Sequence, residues 1–198
     1  VGGGGTISSG EDLLYYEILR GVIPHTSAML FNRNFIDKNK LEFQDGCLAG
    51  EDVEFRRKAL CRAEKVKFID DCLYIYVHHP GMTSNRNNYD KQKKNFRYEC
   101  FLHAHERLLN YLMKYAKTEK TKYVAQNYLS PEIATMKFNL SARKNDLAEF
   151  MNLYQDENII KDLKRAFKFF MLRHKPEIFF KAFMIYFFPK IYFKLRKW

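Results

Sequence analysis

The chain has 198 residues, 46% of them hydrophobic, and a formal charge of +11 from 34 Lys/Arg against 23 Asp/Glu. That length suits one domain, or one and a part, and the apolar content supports a packed core and excludes a disordered tail. The charge is uneven: residues 161–198 hold eleven Lys/Arg against two acids and twelve of the 32 aromatics, a net of +9 that leaves +2 for the first 160 residues.

"VGGGGTISSG" has little to bury and reads as a flexible loop; it is no P-loop, because no Gly-Lys-Ser/Thr follows and no strand precedes it. "EDLLYYEILRG" predicts a short helix closed by Gly21. "TSAMLFNRNFIDKNKLEF" predicts a strand or short helix, a turn and a return. "LAGEDVEFRRKALCRAEKVKFID", Leu48 to Asp70, then sets a Gly-Glu-Asp triplet before a helix. Val53, Phe55, Ala59, Leu60 and Ala63 share about half of its circumference. "KVKFID" and "CLYIYVHH" are rich in β-branched and aromatic residues and predict strands, and "PGMTSNRNN" predicts a polar loop.

Beyond that loop the period is helical. Phe101, Ala104, Leu108, Tyr111, Leu112 and Tyr115 form one stripe, and further helices are expected over 119–139, 144–154, 157–174 and 177–196. Two or three strands make a poor independent sheet, so a part that completes it is expected to be missing. The division expected is 1–88, with the α/β material, and 89–198, all helical.

Cys47, Cys61, Cys72 and Cys100 show no C-x-x-C spacing and no signal-peptide pattern is visible, so free thiols in a reducing compartment are expected. His103 and His105 are two apart and point to different faces of a helix, which disfavours a shared metal. The most apolar stretch, "AFMIYFFP" from Ala182 to Pro189, is bounded by Lys181 and Lys190. It falls far short of the ~20 residues needed to cross a bilayer.

The order "SAMLFNRNFI", "LEF", "GEDVEFRRKAL", "KVKFIDDCLYIYVHHPGMTSNR" resembles the acceptor-side half of bacterial family-2 glycosyltransferases, over residues 11–90. The resemblance implies an α/β fold: a partial GT-A catalytic region over 1–88, followed by a helical C-terminal region over 89–198. It implies an inverting transferase that moves a sugar from a nucleotide-diphosphate donor to a saccharide or lipid-linked acceptor, in the synthesis of bacterial cell-surface polysaccharide. Asp52 would be the general base, its anion favoured by the helix N-terminus. Glu51 would hold the acceptor or orient the neighbouring loop. His79, Thr83, Ser84 and Arg86 would donate to the charge that builds on the departing nucleoside diphosphate. Without the resemblance, the same residues read as ordinary first-turn acids and as a polar turn after an edge strand.

The family holds Mn²⁺ or Mg²⁺ through an Asp-x-Asp in its N-terminal half. This chain has no Asp-x-Asp, and its nearest echo is Asp52-x-Glu54. The expectation is therefore an N-terminally truncated fragment, inactive alone, of a cytoplasmic enzyme that needs a divalent metal. The tail "RAFKFFMLRHKPEIFFKAFMIYFFPKIYFKLRKW" fits the headgroup region of an anionic membrane, on its inner face. Phe179, Phe180, Phe183, Phe187 and Trp198 would enter that layer, or the same aromatics pack as core. The alternative function is a basic helical nucleic-acid- or protein-binding module without catalytic activity. Nucleic acid is the weaker of these, because the charge is confined to an apolar tail and no binding motif is present.

Overall fold

A computed structural model describes residues 7–20, 25–69, 71–77, 89–170 and 176–196. Helix takes up 75% of the described residues and strand 2%. Helix α1 (Gly10–Arg20) starts where the Ser9 hydroxyl accepts the Asp12 amide at 3.1 Å, the usual role of a Ser at that position. Asn32 caps α2 (Arg33–Asn39) in the same way, accepting from the Phe35 amide at 3.2 Å. Gly50 opens α3 (Glu51–Arg62). Asp90 caps the long α4 (Lys91–Tyr115), accepting from the Lys93 amide at 2.7 Å.

α5 (Glu119–Val124) runs through a π turn over Ala125–Leu129 into α6 (Ser130–Lys144), so the helix expected over 119–139 is longer and carries a bulge. α7 (Leu147–Gln155) is capped by Asp146, and α8 covers Glu157–Phe170. The helix expected over 177–196 is two, α9 (Pro176–Phe187) and α10 (Pro189–Arg196). Proline lacks the amide that would continue the ladder, and its ring crowds the carbonyl four residues back. The rail survives on both sides, for the Phe188 amide donates to the Met184 carbonyl and the Tyr192 amide to the Phe188 carbonyl, each at 2.9 Å.

The core runs through the bundle. Leu14 of α1, Leu60 of α3, Leu108 and Leu112 of α4, Phe138 of α6, Phe150 of α7, Leu163 of α8 and Ile185 of α9 belong to one buried cluster. The Tyr192 hydroxyl donates to Asn139 Oδ1 and ties α10 to α6. No helix among the described residues is long and apolar enough to cross a membrane.

The expected α/β class is overturned. Among the described residues the only ladder is antiparallel β1 (Ile7–Ser8) with β2 (Val66–Lys67), Ile7 facing Lys67 and Ser8 facing Val66. A GT-A region is built on a multi-stranded sheet, and two strands of two residues cannot stand in for one. β-propensity expresses itself through neighbours on the pleated surface. "KVKFID" finds one short partner here, and "CLYIYV" finds no ladder among the described residues. The helical bundle is incompatible with the GT-A fold and therefore with membership of the family-2 glycosyltransferases. The sugar-transfer activity and its place in polysaccharide synthesis fall with it.

Candidate functional site

The Gly-Glu-Asp corner is built by a glycine. Gly50 has φ 91°, in the left-handed region that favours glycine, and a Cβ there would lie 2.9 Å from Ala104 Cβ and 3.0 Å from Phe101 Cδ2. The missing side chain thus lets the start of α3 press against α4. Asp52 turns back on its own helix, Oδ1 accepting from the Val53 amide at 2.8 Å, while its carbonyl accepts from the Thr26 hydroxyl at 3.2 Å. Glu51 Oε2 is buried and has no hydrogen-bond partner among the described residues. His79, Thr83, Ser84 and Arg86, the other expected site residues, lie outside the described residues.

The charges that dominate this corner are others. Glu17, 2% exposed, accepts from Arg56 Nη2 at 2.7 Å and Nε at 3.3 Å, and from Arg57 Nε at 2.8 Å. Arg56, 1% exposed, also donates through Nη1 to the Thr26 hydroxyl at 2.9 Å. One helical turn before Lys58, Glu54 takes Arg107 of α4 through Nε at 3.0 and 3.1 Å and Nη2 at 2.7 Å, and Lys58 through Nζ at 2.5 Å. These hydrogen bonds hold the Arg107 guanidinium above its ordinary value, against the opposing effect of burial. The two networks tie α3 to α1 and to α4.

Sequence reasoning missed Glu17, Glu54, Arg56, Arg57 and Arg107. One signal was present: by the 3.6-residue period Arg56 falls inside the apolar arc of Val53, Ala59, Leu60 and Ala63. A charge in such an arc calls for a buried partner. Glu17 could not be named as that partner, since it is 39 residues away.

A third constellation joins α1 to α5. The Glu11 carboxylate accepts from the Lys117 amide at 2.6 Å, the Thr118 amide at 2.9 Å and the Thr118 hydroxyl. Burial pushes the Glu11 carboxyl up, but those donors together outweigh it and hold it below the usual carboxylate range. Next to it Asp12 is lowered by its hydrogen bond from Lys120 and by the Ser9 hydroxyl. All three constellations satisfy charge and join helices; none assembles a nucleophile with a base.

The expected divalent metal is a further correction. It rested on GT-A identity, and among the described residues no group of three or more His, Cys, Asp or Glu could hold a metal ion. The nucleotide-sugar donor and the saccharide or lipid-linked acceptor lose their ground with the fold, and with them the support that a lipid-linked acceptor lent to the membrane surface expected from the tail.

What the molecule does offer is exposed apolar surface. On α9 and α10 the face formed by Ile178, Ala182, Ile185, Tyr192 and Phe193 is buried in the bundle. The other face shows Phe180, Phe187, Phe188, Ile191 and Leu195, 45–65% exposed, with Lys190, Lys194 and Arg196 exposed among them. A second apolar run, Leu73 to Val77, lies after β2. Comparison of the chain with protein-family models, with curated proteins and with solved structures gave no match.

Proposed function

We propose that this chain is a helical protein-binding module, whose C-terminal helices take an acidic amphipathic segment of a partner. The observation that carries this reading is the exposed stripe of Phe180, Phe187, Phe188, Ile191 and Leu195. A helix apolar all round is ordinarily buried all round, and α9 with α10 is apolar on both faces while the bundle covers only one. The spacing of the exposed residues follows the helical period, so a groove or helix laid along it would meet every one. Lys190, Lys194 and Arg196 border the stripe, and the acids of α9 and α10 are confined to Glu177. That balance selects an acidic partner and steers its approach.

A synthetic amphipathic peptide with Leu on one face and Glu on its flanks is a direct probe. It is expected to bind with a Kd of about 1–100 μM, weakening as salt is raised. Ile191→Asp with Leu195→Asp, both at exposed positions, should abolish binding and leave the melting temperature within about 2 °C, as surface substitutions do. Unchanged peptide binding by this double variant would overturn the reading.

Peripheral attachment to the inner face of a membrane is the second reading, favoured by the three exposed phenylalanines beside cations. Vesicles of phosphatidylcholine with about a quarter phosphatidylserine decide between the two. Sedimentation of the protein with these vesicles, lost in the double variant and unaffected by excess peptide, would replace the protein partner with a lipid surface.

A further inference from the structure

We infer that Cys47 and Cys100 form an oxidation site, at which a peroxide joins the two thiols into a disulfide that ties the loop before α3 to α4. The site shares no residue with the α9–α10 stripe, and the inference is independent of the reading above.

The fold brings these two thiols together from segments remote in sequence. Cys47 lies in the irregular stretch between α2 and α3, and Cys100 lies on α4. Gly50, which ends that stretch, presses on α4 one residue from Cys100: a Cβ there would stand 3.2 Å from Phe101 Cα. Cys47 Sγ accepts from Arg107 Nη2 at 3.9 Å. Cys100, Ala104 and Arg107 share one face of α4, at i, i+4 and i+7. Long side chains on a helix lean toward its N-terminus, so the Arg107 guanidinium reaches back along the face that carries Cys100. Cys47 rests on that face. Its ionisation agrees with the contact. Burial does most to hold the Cys47 thiol above its ordinary value and the neighbouring Cys100 thiol does next most, against the opposing guanidinium.

Access and backbone freedom assign the roles. Cys47 is half-buried and Cys100 is 5% exposed, so dissolved peroxide meets Cys47 first and Cys100 acts second. A disulfide requires Cα atoms about 4.4–6.8 Å apart, and a residue inside a long helix has little freedom to adjust. The loop supplies the adjustment. Gly46 and Gly50 flank Cys47 at φ 73° and 91°, a region that glycine occupies at no steric cost.

The oxidation balances with peroxide as the only co-reactant. The Cys47 thiolate attacks one peroxide oxygen, the O–O bond breaks, and the departing hydroxide leaves as water with the proton that Cys47 gave up. Cys47 is then a sulfenic acid, its sulfur oxidised by two electrons and the peroxide reduced by two. The Cys100 sulfur attacks the Cys47 sulfur, the S–O bond breaks, and the oxygen leaves as a second water with the Cys100 proton. Two thiols and one peroxide give one disulfide and two waters. Because the Cys47 thiol is raised, little of it is thiolate at neutral pH, and the first step is slow.

The test uses the full chain carrying Cys72→Ser, a change at an exposed position that removes a route to intermolecular links. The protein is treated with millimolar hydrogen peroxide, its free thiols are blocked, and it is digested without reductant. Mass spectrometry should find the Cys47 and Cys100 peptides joined, two hydrogens lighter than their sum. The melting temperature should rise by about 5–15 °C and return with dithiothreitol, as for a crosslink that closes a long loop. Cys47→Ser should abolish both effects. Cys100→Ala should leave Cys47 as a sulfenic acid trapped by dimedone, or carry it on to sulfinic acid, with no rise in melting temperature. Cys100→Ser serves as a second variant if Cys100→Ala loses the parent's circular dichroism. Sulfinic acid at Cys47 with Cys100 still free in the parent, linkage of either thiol to Cys61, or both thiols unchanged after prolonged treatment would overturn the inference. A Cys47–Cys100 link without a rise in melting temperature would overturn the tie between the loop and α4.

Discussion

Replacing Glu17 with Gln should be the most damaging single-charge change in this chain. The carboxylate faces two guanidinium groups at once, Arg56 at 2.7 and 3.3 Å and Arg57 at 2.8 Å, with Glu17 and Arg56 at most 2% exposed. Gln keeps the shape and one acceptor oxygen but removes the negative charge and turns an amide toward the arginines. Breaking a buried pair leaves an uncompensated charge, at a cost of about 3–5 kcal/mol. For a chain of this size each kcal/mol shifts the melting temperature by about 2–4 °C, so a fall of about 6–20 °C is expected. Thermal and urea denaturation followed by far-UV circular dichroism measure it. A companion variant in which Glu17, Arg56 and Arg57 all become Leu should recover most of the loss, because the desolvation penalty disappears with the charges. A Glu17→Gln cost under about 1 kcal/mol, the level of an exposed ion pair, would refute the picture of a buried network holding α3 to α1.

Glu11 sets a pH dependence. Its folded value lies below the ordinary 4.5, so its contribution is fully present above that value and is lost as the pH falls through the lowered one. Glu11→Gln should flatten this acid limb of the urea midpoint against pH; an unchanged limb would assign the acid sensitivity elsewhere. The cysteines should divide by burial: Cys61 is 2% exposed, with its thiol pushed up to about 12 by burial, while Cys72 is exposed. Maleimide should label Cys72 in the native protein and Cys61 only in denaturant, and equal rates at both would contradict the packing of α3.

The helices were legible in the sequence because their determinants are local. The apolar stripe from Phe101 to Tyr115 repeats with the period of α4, and the corner before Val53 does mark the start of α3. The caps Asn32, Asp90 and Asp146 act on amides three residues away. The break at Pro189 was missed, one helix being expected over 177–196, although it too has a local cause in a single missing amide. Two other matters depended on neighbours remote in sequence. Whether "CLYIYV" joins a ladder depends on a facing strand, and no pattern within those residues can supply one. Whether Arg56 is a solvated cation or a buried one depends on Glu17 lying opposite it, a meeting made by the packing of α1 on α3. Local hydrogen bonds select helix or extended chain, so the sequence determined the elements. Pairing of strands and burial of charge require contact between distant segments, and only the tertiary structure decided them.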